Sequence, residues 1–481
     1  MSDTTAVVWF RRDLRLHDNE ALTRAADADR VVPTYCFDPR HYGRGAFGGS
    51  DSFDFERTGA HRTRFRRESA ADLRTRLRDR GSDLIVRHAR PERALPSVVE
   101  AVDADAVHLH TFPCPEEATV EARVKSALDD DVAVHRYWGH TLHHINDLPT
   151  DYRSVDDTFT PFRTAVEAES RVRDPLGTPD PPPVPADAPD PGTVPDPDAL
   201  GIDIGDPDST DDRAVLPFAG GETAALDRLE TYVWERDRLR EYKETRNGLV
   251  GADYSSKLSP WLNEGCLSPR RVHETVREYE DRRVSNDSTY WLLFELRWRD
   301  FFQFQFAKHG ATFFTRGGIR RRDDIDWQDD EAALERWRRG ETGVPFVDAN
   351  MRELNATGYM SNRGRQNAAS FLANDLRVDW RKGAAYFETR LVDYDPASNY
   401  GNWAYIAGVG NDSRNRSFDV LSQARRYDPN AEYVKRWCPA LEPLSPEAAH
   451  APWTLTEAER VDRGVELGVD YPTPMVDPAT L

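Results

Sequence analysis

The sequence predicts an α/β domain on a parallel, Rossmann-like sheet over residues 1–150, a linker over 151–215, an all-α domain over 216–440 and a tail over 441–481. Three observations carry this reading. Short apolar runs alternate with helix-length stretches as far as Leu148, ten of the 32 prolines fall between Pro175 and Pro197, and beyond residue 220 apolar residues recur at helical spacing.

Ala6–Phe10, Val31–Cys36, Asp83–Arg87, Ala106–His110 and Val132–Tyr137 read as strands, and the stretch Ala60–Arg80 between two of them has helical length and period. Strands alternating with helices make βαβ units, so the sheet is parallel. After the first strand stands Phe10-Arg11-Arg12-Asp13, with no G-x-G-x-x-G, which argues against a conventional dinucleotide site there. The Pro175–Pro197 segment, interleaved with Asp and Gly, can neither hold a helix nor pack a core. Beyond it, Glu222–Thr245, Pro269–Arg283 and Thr289–Lys308 carry helical apolar spacing, and the final forty residues, rich in Pro, Glu and Asp, read as a loosely attached tail.

A chain of 481 residues is long enough for two or three domains, and its 12 Trp, 17 Tyr and 21 Phe exclude disorder. No apolar run approaches the roughly 20 residues of a bilayer span, and no secretory leader precedes Ala6, so a cytoplasmic, monomeric protein without membrane contact is expected. The four cysteines form no C-x-x-C pair, which excludes a zinc ribbon or Fe–S cradle; they read as reduced thiols and no metal is expected. The net charge is −20, and only six of the 64 basic residues are lysine. Concentrated salt screens such self-repulsion, so the composition reads as salt adaptation, with an acidic mesophilic protein as the alternative. A non-specific nucleic-acid binder would be basic overall; a local basic cleft is compatible with this charge.

Four segments carry chemistry. Tyr242–Gly248 leads through Gly251–Tyr254 into Ser255-Ser256-Lys257-Leu258-Ser259-Pro260, where hydroxyls and a lysine precede a helix start. That pattern suits either an anion or a plain N-cap. In Tyr290–Phe302, Glu295 and Arg299 stand four apart among Trp291, Phe294, Trp298 and Phe301. They form either a routine ion pair or part of a site bordering aromatic surface. In Thr357–Leu372, Asn362, Arg365 and Gln366 share one helix face. In Leu391–Tyr405, Asp393, Asp395, Asn399 and Asn402 lie among aromatics without amphipathic order, as in a ligand-lining loop, the alternative being a capped surface turn.

Together these segments resemble the photolyases and cryptochromes. The strings YKETRNG, DYSSKLSPWL, TGYMSNRGRQ, DYDPASNYGNW and AGVGNDSR are most similar to those of the DASH-type cryptochromes, and the likeness runs from VVWFRRDLRLHDN to YDPNAEYVKRW. The resemblance implies an α/β antenna domain, an all-α FAD-binding domain, and blue-light-driven repair of cyclobutane pyrimidine dimers, preferentially in single-stranded DNA, by electron transfer from reduced FAD. The alternative within the same fold is a blue-light photoreceptor without significant repair.

Carried across by position, the resemblance places Tyr242, Ser255, Ser256, Lys257, Leu258, Ser259, Arg299, Asp393, Asp395 and Asn399 at the flavin, with Arg365 paired to Asp393. It places Glu295, Trp298, Asn362, Gln366 and Tyr405 in the lesion pocket. The absence of histidine from Tyr359–Gln366 argues against a (6-4) photoproduct as substrate. The family's electron relay maps to Trp403, Trp380 and Trp327, at intervals of 23 and 53 residues that match the family. An antenna chromophore, methenyltetrahydrofolate or a deazaflavin, is implied as well. Glu116 is the nearest match to a folate contact, and a solvated glutamate is the bland reading. An excised dimer is an apolar, neutral pair of rings with carbonyl and imide edges, so aromatic walls and a few donors and acceptors are what it calls for.

Overall fold

The computed structural model describes residues 4–49, 51–205, 211–412 and 417–480. Seven strands form among them: β1 (Thr5–Phe10), β2 (Arg30–Cys36), β3 (Arg44–Ala46), β4 (Asp54–Glu56), β5 (Ile85–Arg87), β6 (Ala106–His110) and β7 (Ala133–Tyr137). Five make a parallel sheet in the order β5-β2-β1-β6-β7, with Val7 opposite both Val32 and Val107. The order reverses between β1 and β6, and at such a switch point α/β sheets open a crevice beyond the strand ends. Helices α1 (Glu20–Ala25), α2 (Ala60–Arg78), α3 (Pro91–Ala101) and α4 (Pro115–Ala127) cover the sheet; the wholly buried β1 shows why its sequence is an unbroken apolar run. β3 and β4 form a small antiparallel hairpin whose three-residue strands were too short to show a period in the sequence.

The 151–215 linker departs from expectation in one part. Its first third holds helix α5 (Phe159–Glu169), because Phe159, Phe162 and Val166 fall on one face and are buried. The proline-rich part has no helix or strand up to Pro197, yet it is tied to the sheet and to α2. Val86 donates its N–H to the Pro191 carbonyl at 2.8 Å, and Arg67 and Arg74 donate to the carbonyls of Pro195 and Gly192.

The remainder is helical: α6 (Glu222–Glu230), α7 (Tyr242–Thr245), α8 (Ser259–Glu264), α9 (Pro269–Arg282), α10 (Asp287–His309), α11 (Glu331–Arg339), α12 (Pro345–Thr357), α13 (Asn362–Ser370), α14 (Trp380–Arg390) and α15 (Pro396–Ile406), then α16 (Val420–Tyr427), α17 (Glu432–Trp437), α18 (Pro446–His450) and α19 (Glu457–Asp462). The stretch Glu222–Thr245, expected as one helix, is broken. After α6 the backbone widens into a π turn over Thr231–Glu235, and Asp237 takes a left-handed φ of 53° before the chain re-enters helix. By contrast α10 runs 23 residues, its start closed by a capping box between Asn286 and Thr289.

The two halves share one core, with Phe10, Leu14, Tyr232, Leu262 and Leu292 in a single cluster. Buried Arg15 crosses between them, donating to the carbonyls of Gly265, Asp18 and Gly139, and Arg270 grips Asp18 with two hydrogen bonds. An unpaired charge at such depth would be costly, and every one of these guanidinium groups is met by oxygens.

The final segment is not loosely attached. Leu441, Leu444, Ala449 and Val465 are buried, and Tyr471, 1% exposed, donates its phenol O–H to the buried Asp348 carboxylate at 2.5 Å. The Pro, Glu and Asp content hid these apolar anchors, which are spaced too widely to form a periodic pattern. We expect Tyr471→Ala to destabilise the protein by about 3–5 kcal/mol, the range for truncating a large buried aromatic, as measured by denaturant unfolding. A cost below about 0.5 kcal/mol, the value for an ordinary surface position, would mean that this segment does not contribute to the core.

Candidate functional site

The centre of the helical half is organised by two carboxylates just before α15. Asp393 accepts from Ser259 Oγ at 2.6 Å and from Arg365 Nη2 at 2.9 Å, both through Oδ2, while its Oδ1 is buried without a partner. Asp395 caps α15 by accepting from the Ser398 N–H at 2.7 Å, and takes Arg12 Nη1 and Gln303 Nε2, each at 3.0 Å. Burial alone would raise the Asp395 carboxyl, but Arg12 and Arg299 outweigh it and hold the group below its usual range. One turn on, buried Asn399 donates to the Ala384 carbonyl at 2.9 Å.

The 255–259 loop lies against this centre through Ser259. Of the two readings of its hydroxyl cluster, a plain N-cap is not what forms: α8 starts on Leu258 with no side-chain cap, and Ser259 turns its hydroxyl to Asp393. Ser256, Lys257 and Leu258 are buried, and Lys257 adopts a left-handed φ of 54°. Its ammonium sits 3.2 Å from the Tyr254 ring centroid and donates to the Ala252 carbonyl. Burial, reinforced by Arg228, brings Lys257 down to about 6. Tyr242 is buried nearby in the sequence-adjacent α7.

The expected pairing of Glu295 with Arg299 does not occur. Although both are on α10, Glu295 pairs with Arg246 of the YKETRNG string, and Arg299 donates to the carbonyls of His140 and Leu262 and to Asn263 Oδ1. The partners available across the fold outcompete a local i,i+4 contact worth only a few tenths of a kcal/mol. Protein surrounds the Glu295 carboxyl closely enough that desolvation raises it against the pull of Arg246. Beside it Trp298 stacks on Phe159, centroids 3.6 Å apart, and meets Tyr405 edge-on at 6.3 Å, while Phe302 meets Tyr405 at 5.4 Å. Asn362 is exposed as the first residue of α13, and Gln366 accepts from Arg363 at 3.0 Å. Thus the shared face of Asn362, Arg365 and Gln366 divides, with only Arg365 reaching Asp393.

The three tryptophans are linked. Trp403 lies against Gly383 of α14, where an added Cβ would come within 2.4 Å of its ring, and Trp380 begins the same helix. Trp380 Nε1 donates to the Arg316 carbonyl and Arg316 Nη2 to the Trp327 carbonyl, both at 3.0 Å. Glu116 stands apart, two-thirds exposed and paired with Arg57 at 2.5 Å. The Ser413-Arg414 end of the AGVGNDSR string lies outside the described residues.

Sequence reasoning missed several groups in contact with these. Arg246, the partner of Glu295, lies 4.5 Å over Trp291, and Arg363 donates to Asn247 and Gln423. Arg12 and Gln303 hold Asp395 from far away in sequence, and only the fold brings them there. Among the described residues no cluster of ligating side chains could hold a metal ion, and no helix is long and apolar enough to cross a membrane.

The FAD binding domain of DNA photolyase matches residues 291–480, and the DNA photolyase domain matches 6–186. Cryptochrome DASH of Natronomonas pharaonis is 60% identical over 98% of both chains. The chain belongs to the photolyase and cryptochrome family, among the DASH cryptochromes. Cryptochrome DASH of Xenopus laevis is 47% identical over 98% of this chain and 89% of that one. Among solved structures, the cryptochrome of Synechocystis superposes with a TM-score of 0.94 at 45% identity, covering 100% of this chain and 98% of its own. A class III photolyase of Agrobacterium tumefaciens gives 0.87 at 31%, over 100% and 96%. The acidic, lysine-poor composition fits the halophilic character of the Natronomonas relative.

The centre fits FAD. Asp393 offers a buried acceptor with no protein partner, and Trp403 Nε1 is a buried donor in the same condition. A buried amine lowered to about 6 is suited to lie beside an anion that would restore its charge. The depressed value also fixes a sign in the FAD-free protein. Lys257 contributes stability above its unfolded value of about 10.5, and that contribution is lost as pH falls toward 6. We expect the stability difference between wild type and Lys257→Met to rise in favour of wild type from pH 6 to 10, read by urea midpoints. A difference that does not change with pH would show Lys257 to be charged in the folded protein.

Proposed function

We propose that this protein repairs cyclobutane pyrimidine dimers in DNA, preferentially single-stranded, using blue light and FAD. The carrying observation is that three helices each serve two places a turn or so apart. α10 bears Glu295 and Trp298 beside the aromatic cluster of Phe159 and Tyr405, and Arg299 toward the buried centre. α13 bears Asn362 outside and Arg365 on Asp393, and α15 bears Asn399 inside and Tyr405 beside Trp298. A lesion in the cleft and a cofactor at the centre would therefore be held by the same rigid elements.

In this reading Tyr242, Ser255, Ser256, Lys257, Leu258, Ser259, Arg299, Arg365, Asp393, Asp395 and Asn399 hold FAD. Bound in its reduced form, FAD would supply an electron that light sends to the dimer and that returns to the flavin once the ring has split, so that repair is redox-neutral overall. Arg365, fixed by Asp393, places a cation at the centre, and the low-dielectric surroundings strengthen its field. Trp298, backed by Phe159, and Tyr405 offer the walls on which the excised bases stack. Glu295 and Asn362 supply hydrogen bonds to the carbonyl and imide edges; a Glu295 carboxyl raised by burial is closer to donating a proton than an exposed one. Arg246 and Arg363, on the rim, face the phosphates. Trp403, Trp380 and Trp327 would pass electrons to oxidised FAD, and Glu116 with Arg57 would border an antenna chromophore.

Single-strand preference follows from energetics. Removing a dimer from a duplex costs a few kcal/mol of stacking and pairing that a single strand largely spares. A −20 protein in concentrated salt has little phosphate attraction with which to offset that cost. We expect dimer-containing oligonucleotide to be repaired only under blue light, faster as single strand than as duplex, with the ratio widening from low to molar KCl. Light-independent turnover or no turnover would refute repair, and equal strand rates throughout would refute the preference.

A further inference from the structure

Next to the tryptophan series lies a buried phenol that nothing above uses. Tyr400, 1% exposed, sits on α15 one turn before Trp403, and its ring meets that of Trp380 edge-on at 6.3 Å. Its hydroxyl donates to Glu388 Oε2 at 3.0 Å, and Tyr394 donates to the same oxygen at 2.8 Å. The other carboxylate oxygen faces Arg57 Nε at 3.3 Å. Burial raises the Glu388 carboxyl against the pull of Arg57 and Arg62, and two O–H donors on one oxygen with a guanidinium on the other hold it as a carboxylate ready to take a proton.

Trp380 and Trp403 lack any such base. Trp380 gives its indole N–H to a backbone carbonyl, and Trp403 Nε1 is buried with no partner. An indole oxidised there has nowhere to release its proton and remains a cation in an apolar interior, where charge is costly. Tyr400 differs because its proton has an acceptor already in hydrogen-bond contact.

We propose that Tyr400 is a proton-coupled electron donor to oxidised Trp380, forming a side branch of the relay. The inference rests on the reading of Trp403, Trp380 and Trp327 as donors to photoexcited, oxidised FAD, which is the ultimate oxidant. In the branch step one electron passes from Tyr400 to the Trp380 radical cation, and the phenol proton passes to Glu388. Trp380 returns to its neutral closed-shell form, Tyr400 becomes a neutral radical, and the Glu388 carboxylate becomes a carboxylic acid. A cation and an anion are removed together, so the interior is left with less charge than before. Arg57, which keeps Glu116 as a partner, is not stranded. The step traps the hole away from FAD and delays its return.

Flash illumination of the oxidised holoprotein, followed by transient absorption and freeze-trapped electron paramagnetic resonance, tests this. Wild type should show a tryptophan radical succeeded by a neutral tyrosyl radical, slowed in D2O. Tyr400→Phe should lose the tyrosyl signal and shorten the lifetime of charge separation several-fold. Glu388→Gln, which keeps the ring but weakens the proton acceptor, should slow tyrosyl formation at least tenfold, and Tyr394→Phe should leave the signal in place. In the dark, Tyr400→Phe should shift the infrared carboxylate band that disappears in Glu388→Gln. Tryptophan radicals with no tyrosyl radical, or a tyrosyl radical that survives Tyr400→Phe, would overturn the branch alone. Absence of any tryptophan radical would overturn the relay and the branch with it.

Discussion

Much of this structure depends on burying two carboxylates, Asp393 and Asp395, two residues apart. Each is costly to desolvate alone, and a buried charge persists only when partners surround it. Asp395 draws Arg12 from the α/β half and Gln303 from α10, and it caps α15. Asp393 draws Ser259 from the start of α8 and Arg365 from α13. Four helices and the loop after β1 therefore converge on one short segment. Loss of Asp393 would leave Arg365 without its carboxylate partner, and loss of Asp395 would leave Arg12 with Glu117 as its carboxylate partner, so the same contacts that assemble the site also discourage its drift.

Those contacts explain how an acidic protein can serve a cofactor and a nucleic acid. The net charge of −20 belongs to the chain as a whole, whereas the buried centre brings Arg12, Arg299 and Arg365 to Asp393 and Asp395. Long-range attraction to phosphate is weak in salt, but hydrogen bonds and stacking inside a cleft are screened far less. Arginine is suited to this division, because its planar group can satisfy several oxygens at once and stays charged when buried. Arg12 does so between Glu117 and Asp395, and Arg15 among four carbonyls.

The five parallel strands and the helical character beyond residue 220 were legible because they rest on local period. The π turn after α6 was not, since nothing in Thr231–Glu235 breaks helical apolar spacing. Helix α5 was obscured by the neighbouring prolines, and the buried Tyr471 by the polar residues around it. At the site, long strings shared with a family located Asp393, Arg365 and the serine loop, but string matching could not say which charges pair. Glu295 and Arg299 have the right spacing for each other, and the fold gives each a different partner. The Tyr400–Glu388–Tyr394 contacts were likewise invisible, because a tyrosine in an aromatic-rich stretch gives no sign of what its hydroxyl meets.

Asp393 and Arg365, paired at the buried centre, are proposed to hold the cofactor as well as the fold. The most direct measurement is the dissociation constant of FAD, by fluorescence titration of folded protein, for wild type, Asp393→Asn, Arg365→Met and the surface control Asp329→Asn, whose partner is Lys382. Loss of a charged hydrogen bond of about 1.5–3 kcal/mol should weaken FAD binding roughly ten- to a hundredfold in each of the first two variants. The control should match wild type. Wild-type affinity in folded Asp393→Asn and Arg365→Met would contradict the account, leaving the buried pair a structural feature without a part in holding FAD.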